Sequence, residues 1–452
     1  MQLTGKHVLV IGTKRSGLAA VELLCKNGAQ VRAMDAQPPT PEEQARFASL
    51  GVAIVGQIPE NIADQGREPD VIVLSPAVPC DLPMLQDARE RGVRVIGEVE
   101  LASYLLKGPV IGITGSNGKT TTTALTGHLL QQCGIPCQVG GNIGTAVASI
   151  VDASADVQWN VLELSSFQLE TICRFRASIG ACLNVTPDHL DRHKTFENYA
   201  SIKARLFETQ QEDDCAVLNY DDATCRGYAG STKGQVYWFS TSQAVPRGVS
   251  LQGDDLCFEG QPFMSRSQIR LRGLHNVENV LAATLIAHLA GAKLADLGRA
   301  VESFPGVEHR IEFVRELNGV EYFNDSKATN VDAALKAIDA FPRNLWIILG
   351  GKDKGSDYTP LRAPLHERAK AALLIGAEGD YPYAAAPLIR NALTGFVPLI
   401  GCGTLDRAVQ YVHDHAQAGD TVLLAPACAS FDQFQNYEER GRTFKHLVAE
   451  LL

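Results

Sequence analysis

The segment VIGITGSNGKTTTT, residues 110–123, has the residue types needed to bind a polyphosphate. An apolar run empties into Gly115-Ser116-Asn117-Gly118 and then into Lys119, Thr120 and Thr121. Consecutive backbone N–H groups in such a loop wrap an anion, and a helix starting behind it aims its positive end at the same charge. In this arrangement Lys119 reaches the β- and γ-phosphates and the Thr120 hydroxyl sits on Mg²⁺. The strict phosphate-loop signature places a glycine five positions before Gly118, where this chain has Ile113. The competing reading is a plain glycine turn with Lys119 in solvent.

Other chemistry-bearing residues fall at the ends of apolar runs. Glu163 lies in the strand-like stretch at 161–164, where a carboxylate is costly unless it is paired or binds a metal; the alternatives are a magnesium ligand shared with Thr120 and a salt-bridged core glutamate. The run at 179–185 releases TPDHLDRH, with His189 inside it. Magnesium prefers oxygen, so residue chemistry alone leaves His189 open. Lys203 interrupts the apolar face of a helical pattern at 199–207, which by itself reads as a snorkelling lysine. Asn276 stands ahead of a helix expected at 277–289, as a surface cap. Arg310 offers a planar fork for a phosphoryl group. Asp325-Ser326-Lys327-Ala328-Thr329-Asn330 ends a strand-like run, and the loops GGKDKGSD (with Lys352 and Lys354), GAEGD and PACASFDQF (with Ser430) end three more.

These residues must be positioned by sheets. Strand, loop and helix alternate along the chain, and its 452 residues suggest three domains, at 1–107, 108–306 and 307–452. The expected fold is α/β throughout: a Rossmann-like N-terminal domain, a phosphate-loop central domain with a small β portion at 236–239, 249–258 and 268–272, and a Rossmann-like C-terminal domain with a second parallel sheet. In the first domain, a strand at 7–11 precedes Gly12-Thr13-Lys14-Arg15-Ser16-Gly17, and a second strand ends at Asp35, placed for a ribose or base. Lys14 replaces the central glycine of the dinucleotide fingerprint. A nicotinamide cofactor is therefore disfavoured, and a diphosphate flanked by cations is favoured. Further strands stop at Ser75 and Gly97, and residues 139–144 read as a glycine-rich turn presenting Asn142. The net charge of −10 disfavours nonspecific nucleic-acid binding. The eleven cysteines, without a metal-binding spacing, read as reduced core thiols. No apolar run is long enough to span a membrane and the N-terminus enters a strand directly, which places the protein in the cytoplasm.

Taken together, ITGSNGKTTT, GGNIG, ELSSFQLE, LNVTPDHLDRH, YASIKARLF, GLHNVEN, PGVEHRIE, NDSKATN and PACASFDQF resemble the Mur ligases of peptidoglycan synthesis, in order through all three domains. NDSKATN and CASFDQF resemble the D-glutamate-adding member. The resemblance implies an ATP-dependent amide ligase, acting as a monomer, that activates UDP-N-acetylmuramoyl-L-alanine as an acyl phosphate and joins it to D-glutamate. It implies two Mg²⁺ ions, with Thr120, Glu163, His189 and a carbamylated Lys203 as ligands. It also implies ATP contacts at residues 115–121, Asn276, Arg310, Asp325 and Lys327, and a D-glutamate pocket of Thr329, Lys354, Ser430 and Tyr437. Two departures stand out: some relatives have phenylalanine where Tyr437 is, and Lys352 is an extra cation beside Lys354. The uridine nucleotide would lie on Thr13, Lys14, Arg15, Ser16, Asp35, Ser75 and Asn142, and closure of the third domain is expected. The nearest rivals are another Mur ligase or a folylpolyglutamate synthetase, the latter disfavoured by the separate first domain. A binding protein with a switching phosphate loop is disfavoured because Glu163, His189 and Lys203 accompany Lys119.

Overall fold

The computed structural model describes residues 2–55, 68–353, 355–376 and 383–452. It divides into two compact units, one of residues 1–270 and 274–304, the other of residues 271–273 and 305–452. The first unit holds two sheets.

The first sheet is all parallel, with β1 (His7–Ile11), β2 (Gln30–Met34), β3 (Ile54–Val55), β4 (Val71–Leu74) and β5 (Arg94–Gly97) in the order β3-β2-β1-β4-β5. The order reverses direction between β1 and β4, so a crevice opens beyond their C-terminal ends. The loop carrying residues 12–17 and Ser75 both lie there. Helix Arg15–Lys26 follows that loop.

The central sheet contains β6 (Val110–Thr114), β7 (Cys137–Gly141), β8 (Trp159–Glu163), β9 (Ile179–Cys182), β10 (Cys215–Asn219), β11 (Gln235–Ser240), β12 (Gly248–Gln252), β13 (Asp255–Phe258) and β14 (Gln261–Ser265). Its order is β14-β13-β12-β11-β10-β9-β6-β8-β7, with only the β12–β14 end antiparallel. β6 is buried along its whole length, as a strand covered on both faces must be. It pairs with β8, Ile113 opposite Glu163, and with β9, Thr114 opposite Cys182. That register brings Glu163 and the 183–186 segment to either side of the phosphate loop. One continuous core runs from β1 and helix Arg15–Lys26 through residues 147–151 into the central domain.

The second unit holds β15 (Glu312–Leu317), β16 (Val320–Asn324), β17 (Leu345–Gly350), β18 (Ala369–Ile375), β19 (Leu399–Gly403) and β20 (Thr421–Leu424), in the order β15-β16-β20-β17-β18-β19. Asn324 and Ile348 flank Leu424, so the loops after β16, β17 and β20 leave one edge together.

Several expectations are corrected. Residues 139–144 are not all turn, because Gly140 and Gly141 complete β7. A Cβ at Gly141 would stand 2.3 Å from the Glu163 carbonyl oxygen, so glycine is what lets β7 close on β8. Residues 268–272 form no strand: Ser265 caps a short 3₁₀ turn at Arg266–Gln268 instead. The third sheet is not wholly parallel, since β15 runs antiparallel to β16. Asn276 is no surface cap, as helix Leu274–Leu289 begins before it and buries it. Cys173 is exposed and so is not a core thiol. Among the described residues no helix is long and apolar enough to cross a membrane. Residues 377–380 of the GAEGD loop and Lys354 lie outside the described residues.

Candidate active site

The phosphate loop is held open by its neighbours. Gly118, at φ +82°, caps helix Lys119–Gln132, and a Cβ there would stand 2.2 Å from Asn279 Oδ1. The Ser116 N–H donates to the Asn184 carbonyl (2.9 Å) and the Asn117 N–H to Asn184 Oδ1 (2.8 Å). Ser116 Oγ contacts the Tyr199 hydroxyl at 3.0 Å. Asn279 donates to Asn276 Oδ1 at 3.0 Å, which draws Asn276 beneath the same helix start.

Two amines converge on this loop. Lys119 Nζ donates to the carbonyls of Gly115 (2.7 Å) and Ser116 (2.8 Å), and Lys203 Nζ donates to the same Gly115 oxygen at 2.9 Å. Lys203 is 1% exposed, which overturns the snorkelling reading. It lies over the Tyr199 ring, 4.6 Å from the centroid. Burial first, then the adjacent Lys119 charge, pushes its amine down to about 7. Tyr199 was missed from the sequence. Its signal was the i,i+4 spacing with Lys203, which stacks both residues on one helix face.

Glu163 ends β8 at 1% exposure. The Asn142 amide donates to its Oε1 at 2.7 Å, and Oε2 is buried with no hydrogen-bond partner among the described residues. Among the described residues it has no salt-bridging cation, and an orphaned carboxylate oxygen beside the loop fits a cation ligand. His189, at φ +52°, starts the short helix Leu190–His193; its half-exposed ring packs on Phe167 at 4.8 Å. Thr120 is buried in the first helical turn and Thr121 partly so. Among the described residues no three His, Cys, Asp or Glu side chains form a metal cluster by themselves. A magnesium site built from Thr120, Glu163 and phosphate oxygens needs none.

In the first sheet, the Thr13 N–H and hydroxyl both donate to Asp35 Oδ2, at 2.7 and 2.9 Å. Asp35 therefore anchors the loop besides facing the crevice. Lys14 reaches outward to Glu43 (2.7 Å), and Arg15 donates to the Asn142 carbonyl (3.1 Å). Ser16 is partly buried in the first turn of the helix, and Ser75 packs against Gly12.

The second unit gathers its own group at one sheet edge. Asp325 is buried, which pushes its carboxyl up to about 7 against the opposing pull of Arg310 and Lys327. Lys327 lies over the Tyr437 ring at 5.6 Å, and Ser326 Oγ donates to the Tyr437 carbonyl at 2.8 Å. Arg440, missed from the sequence and 1% exposed, ties Ser326 to the Cys428 carbonyl. Lys352 bridges through its backbone to Ala429, next to the buried Ser430, while its amine covers Tyr383. Thr329 follows Ala328, whose carbonyl accepts from the Ala427 N–H.

Comparison with known proteins decides the family. Three family models match in order: a Mur ligase MurD-like N-terminal domain at residues 6–97, a Mur ligase middle domain at 113–287 and a Mur ligase glutamate ligase domain at 309–428. The UDP-N-acetylmuramoylalanine–D-glutamate ligase of Solibacter usitatus is 57% identical over 99% of this chain and 98% of its own length. The chain belongs to the Mur ligase family. The Mur ligase of the same name from Acidobacterium capsulatum is 48% identical over 99% of this chain and 97% of its own. Among solved Mur ligases, the UDP-N-acetylmuramate–alanine ligase of Thermotoga maritima shares the fold, with a TM-score of 0.61 at 18% identity, covering 98% of this chain and 99% of that one.

Proposed function

We propose that this Mur ligase joins D-glutamate to UDP-N-acetylmuramoyl-L-alanine, with conversion of ATP to ADP and phosphate, in the cytoplasmic synthesis of peptidoglycan precursors, and that it acts as a monomer. Mur ligases use ATP and magnesium. The observation that carries the reading is the meeting of Lys119 and Lys203 on the Gly115 carbonyl, at a helix start and beside the partnerless Glu163 oxygen.

The functional division is 1–107 for the sugar nucleotide, 108–306 for ATP and 307–452 for the amino acid. A carboxylate cannot expel oxide, so its oxygen first attacks the γ-phosphorus of ATP. The mixed anhydride then loses phosphate when the amine adds to its carbonyl carbon. Lys119 exchanges its loop carbonyls for phosphate oxygens, and residues 115–121 wrap the chain of phosphates. Thr120, Glu163 and His189 are the residues to hold two Mg²⁺, which would screen the approach of one anion to another. Lys203 suits carbamylation: two protonated amines on one carbonyl repel, and a neutral amine that takes up carbon dioxide becomes an anion beside Lys119. In that form it too would offer an oxygen ligand.

Thr13, Arg15, Ser16, Asp35, Ser75 and Asn142 orient the sugar nucleotide, with Lys14 contributing least because it is turned to Glu43. Asn276, Arg310, Asp325 and Lys327 serve ATP. Thr329, Ser430 and Tyr437 receive D-glutamate together with Lys352 or Lys354. ADP release measured with UDP-N-acetylmuramoyl-L-alanine and a panel of D- and L-amino acids tests the reading. Release should require both co-substrates and select D-glutamate. Release indifferent to D-glutamate contradicts it.

A further inference from the structure

Arg192 has no part in the chemistry above, yet its guanidinium serves three backbone carbonyls and a carboxylate. Nη1 donates to the carbonyls of Pro76 (3.1 Å) and Ala77 (3.3 Å), and Nη2 donates to that of Val78 (3.0 Å). Nε and Nη2 also hold Glu170, at 3.3 and 2.5 Å. Arginine and glutamate are 15% and 7% exposed, so neither is a solvated surface pair. The turn being gripped follows β4 and is the floor of the sugar-nucleotide loop: a Cβ on Gly12 would stand 2.6 Å from Ser75 Cβ and 3.0 Å from Val78 Cγ2. On its other side the guanidinium lies over Phe167, 4.6 Å from the ring centroid, and Phe167 carries the His189 ring at 4.8 Å. One planar group thus touches the support of the Gly12 loop and the support of His189.

We propose that Arg192 is a positioning residue that sets the first-domain loop against His189, so that the bound sugar nucleotide presents its carboxylate at the triphosphate; this rests on the ligase reading above. A rigid five-donor fork is needed because three carbonyls and a carboxylate are served by one group, more acceptors than the three donors of an ammonium can match. The effect falls chiefly on one substrate. ATP is held by the loop after β6, whose supports include Asn184, Asn279 and Tyr199; Arg192 touches none of these three and reaches Tyr199 only through Glu170 and His193.

The test uses the full chain with Arg192→Lys, which keeps the charge opposite Glu170, and Arg192→Ala. Calorimetry reads sugar-nucleotide and ATP binding, and ADP release reads both KM values. The expected result is a sugar-nucleotide Kd and KM raised about tenfold, the loss of one or two charge-assisted hydrogen bonds, with both ATP values within about twofold of wild type. A cavity of about 290 Å³ adjoins Arg192, so millimolar guanidinium has a path to the vacated position and should lower the raised KM of Arg192→Ala. Parallel rises for both substrates, unchanged sugar-nucleotide binding in Arg192→Lys, or indifference of Arg192→Ala to guanidinium would each overturn the proposal. Wild-type protein that binds the sugar nucleotide without releasing ADP would sink the ligase reading instead, and the binding data would still judge the clamp.

Discussion

The loops after β1 and β6 start from the same plan, a buried parallel strand, a glycine-bearing loop and a helix, and they use their cations in opposite ways. After β1, Lys14 and Arg15 point away from the loop, to Glu43 and to the Asn142 carbonyl, and Thr13 is tied to Asp35. After β6, Lys119 folds back onto the loop's own carbonyls and is joined there by Lys203 from another helix. Two positive charges on one carbonyl are stable only while one is neutral, or when anions arrive to meet them. The second loop therefore gathers two amines on one of its own carbonyls, and the first sends its cations elsewhere. Under the proposed reading a triphosphate sits on the second loop, and a nucleotide recognised through shape and backbone sits on the first.

The largest effect should come from removing the second amine. Lys203→Ala is expected to lose about 10³-fold in kcat, the scale of deleting one preorganised electrostatic group, and to recover partly with short carboxylic acids that replace the carbamate oxygens. Failure of every such acid would contradict the carbamate. The wild-type amine titrates near pH 7, lowered by burial and by Lys119. Below that pH it is protonated and cannot take up carbon dioxide; above it the neutral form predominates. Reactivation of carbon dioxide-depleted protein by bicarbonate should therefore rise as pH passes upward through 7.

The paired glycines separate the loops directly. Gly118→Ala places a Cβ against Asn279 at φ +82°, and Gly12→Ala places one against Ser75 at φ +88°. A left-handed alanine costs about 1–2 kcal/mol, or roughly tenfold. The first change should raise the KM for ATP and the second the KM for the sugar nucleotide, each leaving the other substrate within about twofold. If both raised the same KM, the division between the loops would be wrong. The smallest effect is expected at Lys14, which is itself exposed and paired with a partly exposed glutamate. Lys14→Met should change the sugar-nucleotide KM less than about threefold, since such pairs contribute little; a larger loss would return Lys14 to the diphosphate.

Much of this was legible in the sequence because each loop follows a buried apolar run. Those runs place strand ends, and strand ends place Lys119, Glu163, His189 and Asp325. What escaped was set by pairing across the chain. β7 hid behind its glycines, which read as a turn until Glu163 stood opposite them. β15 and β19 lie at sheet edges where apolar patterning is weak. Lys203 looked like a surface lysine because nothing local shows that Tyr199 and the Gly115 carbonyl close over it. Arg192 looked like one charge among several in DHLDRH, and only the fold brings residues 76–78 beneath it.

The chemistry turns on whether the carboxylate is phosphorylated before the amide forms. UDP-N-acetylmuramoyl-L-alanine carrying ¹⁸O in both carboxylate oxygens, incubated with ATP, Mg²⁺, D-glutamate and the wild-type protein, answers this by mass spectrometry of the released phosphate. The prediction is one ¹⁸O in each phosphate and one in the new amide carbonyl. Phosphate free of ¹⁸O would contradict it.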